Sequence, residues 1–173
     1  MVKTPPWWAE DAGTDLMRAA ADQGLEGVVT KRLTAPYQPG IRSRHWIKTP
    51  LNQTTEVIIA GWKPGEGRRA GTIGSLVLGA YDNAGHLVYT GGVGTGFTEG
   101  MLTDLAHQLR PLRQASSPFD VPVPREHARG VHWVQPRLVG EVEYRNRTPD
   151  GRLRHPTWRG LRPDRDPTEV RLT

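Results

Sequence analysis

Glu26, Lys31 and Lys48 have the residue types and spacing for chemistry on a phosphate. Glu26-Gly27-Val28-Val29-Thr30-Lys31 puts an acid, a glycine and a lysine on one short apolar run, Leu25 to Leu33. Trp46-Ile47-Lys48 begins fifteen positions after Lys31. Charges that interrupt a segment otherwise read as buried are a conflict between local pattern and burial, and such conflicts collect at functional sites. Lys31 can fix a positive charge on a phosphate, and Lys48 can reach the same phosphate if the two segments pair as strands. Glu26 can hold a metal ion or a ribose hydroxyl. The competing reading is a half-buried strand whose charged ends reach solvent, because isolated short motifs recur by chance.

Arginine forms a second concentration of charge. Arg145, Arg147, Arg152, Arg154, Arg159, Arg162 and Arg165 stand beside only two acids, Asp150 and Asp164, a net charge of +5 equal to that of the whole chain. Arginine without lysine favours bidentate phosphate contacts, with a solvated face as the alternative. Gly91-Gly92-Val93-Gly94-Thr95-Gly96 lies between a strand and a helix. It lacks the Gly-Lys-Ser/Thr ending of a P-loop and the G-x-G-x-x-G spacing of a dinucleotide fold. It is either a turn whose backbone amides approach a nucleic-acid backbone or turn geometry alone. The six histidines show no metal spacing, since His127 and His132 are five apart in a loop, and they read as structural or surface residues.

These residues need elements to position them. Met1 to Gly13 is irregular. Thr14 can cap a helix over Asp15 to Gln23, with Gly24 as its stop, and a strand follows over Leu25 to Arg32. Thr34 to Arg44 is a polar loop, and a short strand carries Trp46 and Lys48. Thr54 to Trp62, Gly71 to Tyr81 and Leu87 to Val93 are apolar, β-branched runs between turns, Asp82-Asn83-Ala84-Gly85 being a hairpin. Thr98 to Arg113 has helical spacing at Met101, Leu102, Leu105, Leu109 and Leu112. Gln114 to Gly130 connects to strands at Arg137 to Asn146 and Arg152 to Trp158. The aromatics Trp46, Trp62, Tyr81, Tyr89, Trp133 and Tyr144 sit in apolar runs and read as core. About five strands with one helix inserted suit a Greek-key barrel of the OB type.

Bulk properties narrow the class. The 173 residues suffice for one domain or one and a half. Lysine and arginine outnumber acids 23 to 18, and the sequence pI near 10.0 makes a polyanion partner plausible. The absence of cysteine excludes disulfides, thiolate zinc sites and cysteine nucleophiles. No apolar run reaches the length of a membrane span, so a soluble, cytoplasmic protein without membrane contact is expected.

In order and spacing these segments resemble the C-terminal half of the ATP-dependent DNA ligases. The likeness is greatest to the bacterial non-homologous end-joining type, ligase D and its stand-alone ligase C relatives. Glu26 to Lys31 is similar to motif IV, Trp46-Ile47-Lys48 to motif V, and Trp158-Arg159-Gly160-Leu161-Arg162-Pro163-Asp164-Arg165 to motif VI. Gly91 to Phe97 and Arg152-Leu153-Arg154-His155-Pro156 extend the likeness through the barrel. The resemblance implies a mainly β fold in which residues 1–50 are the last helix and strands of a nucleotidyltransferase domain and residues 51–173 are an OB domain. It implies that Glu26 serves Mg2+, and that Lys31 and Lys48 contact the α-phosphate of ATP or the adenylate. Arg162 and Asp164 would act on the leaving pyrophosphate, with Arg165 also contacting the nucleotide. Arg42, Arg44, Gly94, Thr95, Arg145, Arg147, Arg152 and Arg154 would contact DNA.

The reaction so implied seals nicks in duplex DNA through lysyl-AMP and DNA-adenylate intermediates, the OB domain turning about a hinge at Leu51 to Gln53. The implied partners are nicked duplex DNA, an upstream adenylation domain and end-joining proteins, at the bacterial nucleoid. Two residues depart from the pattern: Pro50 replaces a common second lysine of motif V, and Arg165 replaces a common lysine of motif VI. None of Lys3, Lys31, Lys48 and Lys63 is followed by the x-Asp-Gly of the nucleophile motif. The nucleophile is expected upstream, in a longer or split enzyme, and this chain alone is expected not to adenylate itself. The competing classes are a non-catalytic OB module that binds duplex nucleic acid and a relative of the RNA ligases and capping enzymes.

Overall fold

A computed structural model describes residues 7–8 and 13–172. Most of the stretch expected to be irregular, Met1 to Gly13, lies outside the described residues. The chain divides into two compact units, Met1–Leu51 and Asn52–Thr173.

In the first unit, α1 spans Gly13–Asp22, so Thr14 lies within the helix rather than capping it. The helix ends as expected at Gly24. Leu25 N–H donates to Ala20 O and Gly24 N–H to Ala21 O, both at 2.9 Å, which satisfies carbonyls the last turn leaves open. Two short antiparallel strands follow, β1 (Gly27–Lys31) and β2 (Trp46–Pro50). Gly27 faces Pro50, Val29 faces Lys48 and Lys31 faces Trp46.

The second unit is an antiparallel barrel of β3 (Gln53–Pro64), β4 (Ile73–Tyr81), β5 (Leu87–Val93), β6 (His132–Tyr144) and β9 (Thr157–Leu161), in the order β5-β4-β3-β6-β9. The sheet edges meet where Trp158 N–H donates to Thr95 O at 2.9 Å. The tight approach explains Gly96. Its φ is +87°, and a Cβ there would lie 2.4 Å from Trp158 O. The helix α2 (Glu99–Leu109) is inserted between β5 and β6. This is the OB-type Greek-key plan that the apolar runs and single helix predict.

The central strand β3 explains the sequence's longest apolar run. Val57 and Ile59 pack inside the barrel with Leu76, Leu78, Val93 and Trp158, capped by Leu102, Leu105 and Leu109 of α2. Ile58 and Ala60 pack on the other side with Val77, Leu87, Phe119, Val139 and Val170. A strand covered on both faces loses polar alternation. The second face is covered by the connection after α2, which contains a short helix, α3 (Arg125–Ala128), and by the C-terminal tail.

Several boundaries differ from expectation. The helix expected to reach Arg113 ends at Leu109 and tightens into a 3-10 turn over Arg110–Leu112, with Pro111 at its start. Its cap is Thr98, whose hydroxyl accepts from Met101 N–H. β6 begins at His132, five residues before the expected start at Arg137. Pro136 obscured that start, and it is tolerated because the β3–β6 ladder is irregular between Ile59 and Gly61. The single last strand expected over Arg152 to Trp158 is two pieces. β8 (Leu153–Arg154) pairs with β7 (Asn146–Arg147), and β9 starts at Thr157. The break is His155-Pro156, where His155 takes φ +52°.

Candidate functional site

In the first unit, pairing of β1 with β2 brings the two lysines together. Lys31 and Val29 share one face of β1, and the register sets Trp46 and Lys48 opposite them, so both lysines occupy one face as diagonal neighbours. Gly27 is required at the end of β1. Its φ is +142°, and a Cβ there would lie 2.3 Å from Thr49 O. Just before it, the Glu26 carboxylate accepts from Lys48 Nζ at 3.3 Å. Lys31 Nζ lies 4.1 Å from the centroid of the Trp46 ring. Trp46, expected in the core, is 43% exposed. It holds a cation instead, and Tyr37 packs against it at 6.0 Å. Arg42 and Arg44 lie exposed in the preceding loop. Among the described residues no three acidic or histidine side chains gather as a metal site, so Glu26 offers a cation one carboxylate.

In the second unit, Arg162, Asp164 and Arg165 form one network beyond the end of β9. Arg162 grips Asp164 through both edges of the carboxylate, Nε to Oδ1 at 2.9 Å and the terminal nitrogen to Oδ2 at 2.8 Å. Its other terminal nitrogen lies 3.0 Å from Glu141 Oε2 and 3.5 Å from Glu56 Oε1. Arg165 Nε meets the same Glu56 oxygen at 2.6 Å. The Arg162 hydrogen bond holds the Asp164 carboxyl down at about 2, against the ordinary value of 3.8. The same bond raises Arg162 further above its already high value. The Arg162 backbone is fixed too, its N–H donating to Val139 O at 2.8 Å. Glu56 and Glu141 were not among the sequence candidates. They are direct register partners across β3 and β6. Each is an acid at the end of an apolar run, the same signal that singled out Glu26.

The arginines expected to contact DNA divide into two groups. Arg152 is committed internally, paired with Asp150 and in contact with His127 Nε2. It lines a cavity of about 220 Å3 with Val88, Tyr89 and Pro122. Arg147 donates to Gly151 O at 3.1 Å and lies over the Tyr144 ring. Arg145 and Arg154 are exposed, with no side-chain hydrogen bond or ion pair among the described residues. Gly94 O accepts from Arg69 at 3.0 Å, and Thr95 bonds Pro156 O and Trp158 N–H, so the glycine loop first serves to close the barrel. The barrel presents no exposed large aromatic among the described residues.

Two family models match the sequence. The one described as the ATP dependent DNA ligase C terminal region matches residues 69–165, and the one described as the ATP dependent DNA ligase domain matches residues 9–49. The multifunctional non-homologous end joining protein LigD of Mycolicibacterium smegmatis is 52% identical over 158 residues, covering 91% of this chain and 21% of its own length. A DNA ligase of Thermococcus fumicolans is 36% identical over 170 residues, covering 94% and 28%. The crystal structure of the ligase domain of M. tuberculosis LigD superposes with a TM-score of 0.66 at 45% identity, covering 91% of this chain and 51% of that one. A mycobacterial DNA ligase D complexed with ATP and MES gives 0.62 at 44% identity, covering 91% and 50%. The chain thus spans 21% and 28% of these two curated relatives and about half of the solved chains.

Proposed function

Since the chain belongs to the ATP-dependent DNA ligases, we propose that it is the C-terminal portion of an enzyme that seals nicks in duplex DNA. Residues 1–50 would close an adenylation domain and residues 51–173 would be its OB domain. The observation that carries this reading is the β1–β2 register, which sets Lys31 and Lys48 on one face with Glu26 beside Lys48. Two fixed cations a strand apart suit the non-bridging oxygens of one phosphate. In phosphoryl transfer such charges stabilise the negative charge that shifts among those oxygens. The nucleotide would be ATP, held at its α-phosphate by Lys31 and Lys48. Arg162 and Asp164, with Arg165, would serve its leaving pyrophosphate.

Mg2+ is commonly held by one or two carboxylates together with substrate phosphates and water. One carboxylate, Glu26 beside Lys48, fits an ion bound mainly through the nucleotide. When bound, the ion would supply charge neutralisation; this chain's own part is to orient the phosphate with its lysines. Arginine at 165 keeps the charge of the more common lysine and adds a planar donor edge. Proline at 50 leaves motif V with one lysine.

On the DNA, Arg145 and Arg154 would grip backbone phosphates, joined by Arg42 and Arg44. Arg147 and Arg152 would act after release from their internal partners, and Gly94 and Thr95 would bring backbone close to the duplex. A barrel with no exposed aromatic platform among its described residues suits a duplex backbone rather than a single strand, which is held by stacking on such rings. The first unit exposes Leu25, Val29, Leu33, Ile41 and Ile47. Such a surface suits cover by the rest of an adenylation domain, which would also bring the nucleophilic lysine. The intact enzyme would work in the cytoplasm at the nucleoid, alongside other end-joining proteins. No described helix is long and apolar enough to cross a membrane.

The test is sealing of nicked DNA against nicked RNA with an adenylation domain supplied. Lys31→Ala and Lys48→Ala should each reduce DNA sealing by a hundredfold or so, in the range of one lost oxyanion donor. Equal sealing of RNA would favour the RNA-ligase relative. Duplex binding that survives with no sealing by any reconstituted enzyme would favour the non-catalytic module. Cross-linking Leu51 to Gln53 rigidly should block at least one step, and full activity after cross-linking would remove the hinge.

A further inference from the structure

Glu56 and Glu141 face each other directly across β3 and β6. Like charges in that position repel and destabilise a sheet. Here one terminal nitrogen of Arg162 lies between them, 3.0 Å from Glu141 and 3.5 Å from Glu56, and Arg165 Nε completes the Glu56 contact at 2.6 Å. Asp164 takes the opposite edge of the guanidinium. Arg162 is therefore held from both edges, while its backbone is bonded to Val139. Three carboxylates surround two guanidiniums, so the network as a whole is negative. A polyphosphate approaching Arg162 meets net repulsion and finds most of the donors already used.

We propose that Glu56 and Glu141 are positioning residues for Arg162. Together they seat its guanidinium in one orientation and weaken its grip on a polyphosphate until that contact is exchanged. The proposal rests on the reading that Arg162 serves the pyrophosphate end of the nucleotide. The backbone anchor confines the exchange to the side chain: the guanidinium leaves the carboxylates for phosphate oxygens while β9 stays in place.

Two measurements on the full chain test the seat separately from that reading. The first is the nitrogen NMR spectrum of the Arg162 guanidinium. In the wild type, contacts on both edges should slow rotation and give two resolved terminal-nitrogen signals. In Glu56→Gln/Glu141→Gln, where Asp164 alone still holds one edge, the two signals should broaden and begin to merge, and in the charge-conserving Glu56→Asp/Glu141→Asp they should stay resolved. Signals unchanged in the Gln variant would overturn the seat, whatever pyrophosphate does. The second is calorimetric titration with inorganic pyrophosphate. The Gln variant should bind roughly three- to tenfold more tightly than wild type, the size expected of two solvent-screened, half-buried charge interactions, and the gain should vanish when Arg162→Gln is added. A gain that persists without Arg162, or no gain, would overturn the proposed weakening. If the signals broaden as expected but Arg162→Gln leaves pyrophosphate binding unchanged in every background, the assignment of Arg162 to pyrophosphate fails and the seat stands. Circular dichroism melting should confirm that each variant folds.

Discussion

At the scale of single residues, charge partners decide which side chains are ready to act. Asp164 should titrate at about 2 by carboxyl NMR. Because its folded value is depressed, whatever the Arg162 pair adds to stability is present above the ordinary carboxylate range near 3.8. It is lost as pH falls through about 2. Arg162→Ala should return Asp164 toward 3.8, and no movement would mean that the bidentate pair is absent in solution. Lys31 gives a second check. Its position over the Trp46 ring should move the Lys31 side-chain methylene protons upfield. Trp46→Leu should remove that shift along with about 0.5–1 kcal/mol of cation–π attraction. Lys31 and Glu26 were singled out as candidates because charge interrupts an apolar run, and Lys48 because it lies on the next short strand. Trp46 was misread as core because an indole in such a run looks the same whether it is buried or spread beneath an ammonium. Glu56 and Glu141 carry the same local signal as Glu26, but their pairing is set by cross-strand register, which no local window contains.

At the scale of elements, β6 and β9 are locked by one close approach. A Cβ at Gly140 would lie 2.0 Å from the Trp158 ring, which is itself buried in the barrel. Gly140→Ala should cost about 1–3 kcal/mol or more through overpacking. Trp158→Ala should cost about 3–5 kcal/mol through the cavity it leaves. Combined with Trp158→Phe, Gly140→Ala should cost less than alone, and additive costs in urea unfolding would show that the two residues do not share this contact. The elements of the barrel were readable wherever apolar runs lay between clear turns. β5 coincides with its expected bounds, and Asp82 closes its hairpin by accepting from Ala84 N–H and His86 N–H. Reading failed at prolines. Pro136 hid the start of β6, and Pro156 with its neighbour His155 divided an apparent strand, because a ladder irregularity and a positive φ are tertiary solutions to a local constraint.

At the scale of the whole molecule, the two units should differ in how well they stand alone. A two-stranded sheet with exposed apolar side chains is marginal in water. Amides of 27–31 and 46–49 should therefore exchange quickly in the isolated chain, while those of 57–60 should exchange only on global unfolding. Adding an adenylation domain should protect the first group, and unchanged exchange would mean that this surface is not covered by it. Binding to nicked duplex should weaken steeply with salt as counterions are released, and a flat salt response would remove the backbone-gripping role. The burial of β3 on both faces carries a further consequence for how the chain reaches this state. Val57 and Ile59 belong to one core, and Ile58 and Ala60 belong to the other. Sliding the strand by one residue exchanges the two sets without exposing a single apolar group, so hydrophobic collapse alone does not distinguish right from wrong pairing. Discrimination falls to the few positions that tolerate only one neighbour, such as Gly140 opposite Val57 under the Trp158 ring. Refolding should accordingly pass through misaligned traps, seen as a slow stopped-flow phase insensitive to prolyl isomerase. Alignment of this strand is thus left to single close contacts rather than to collapse.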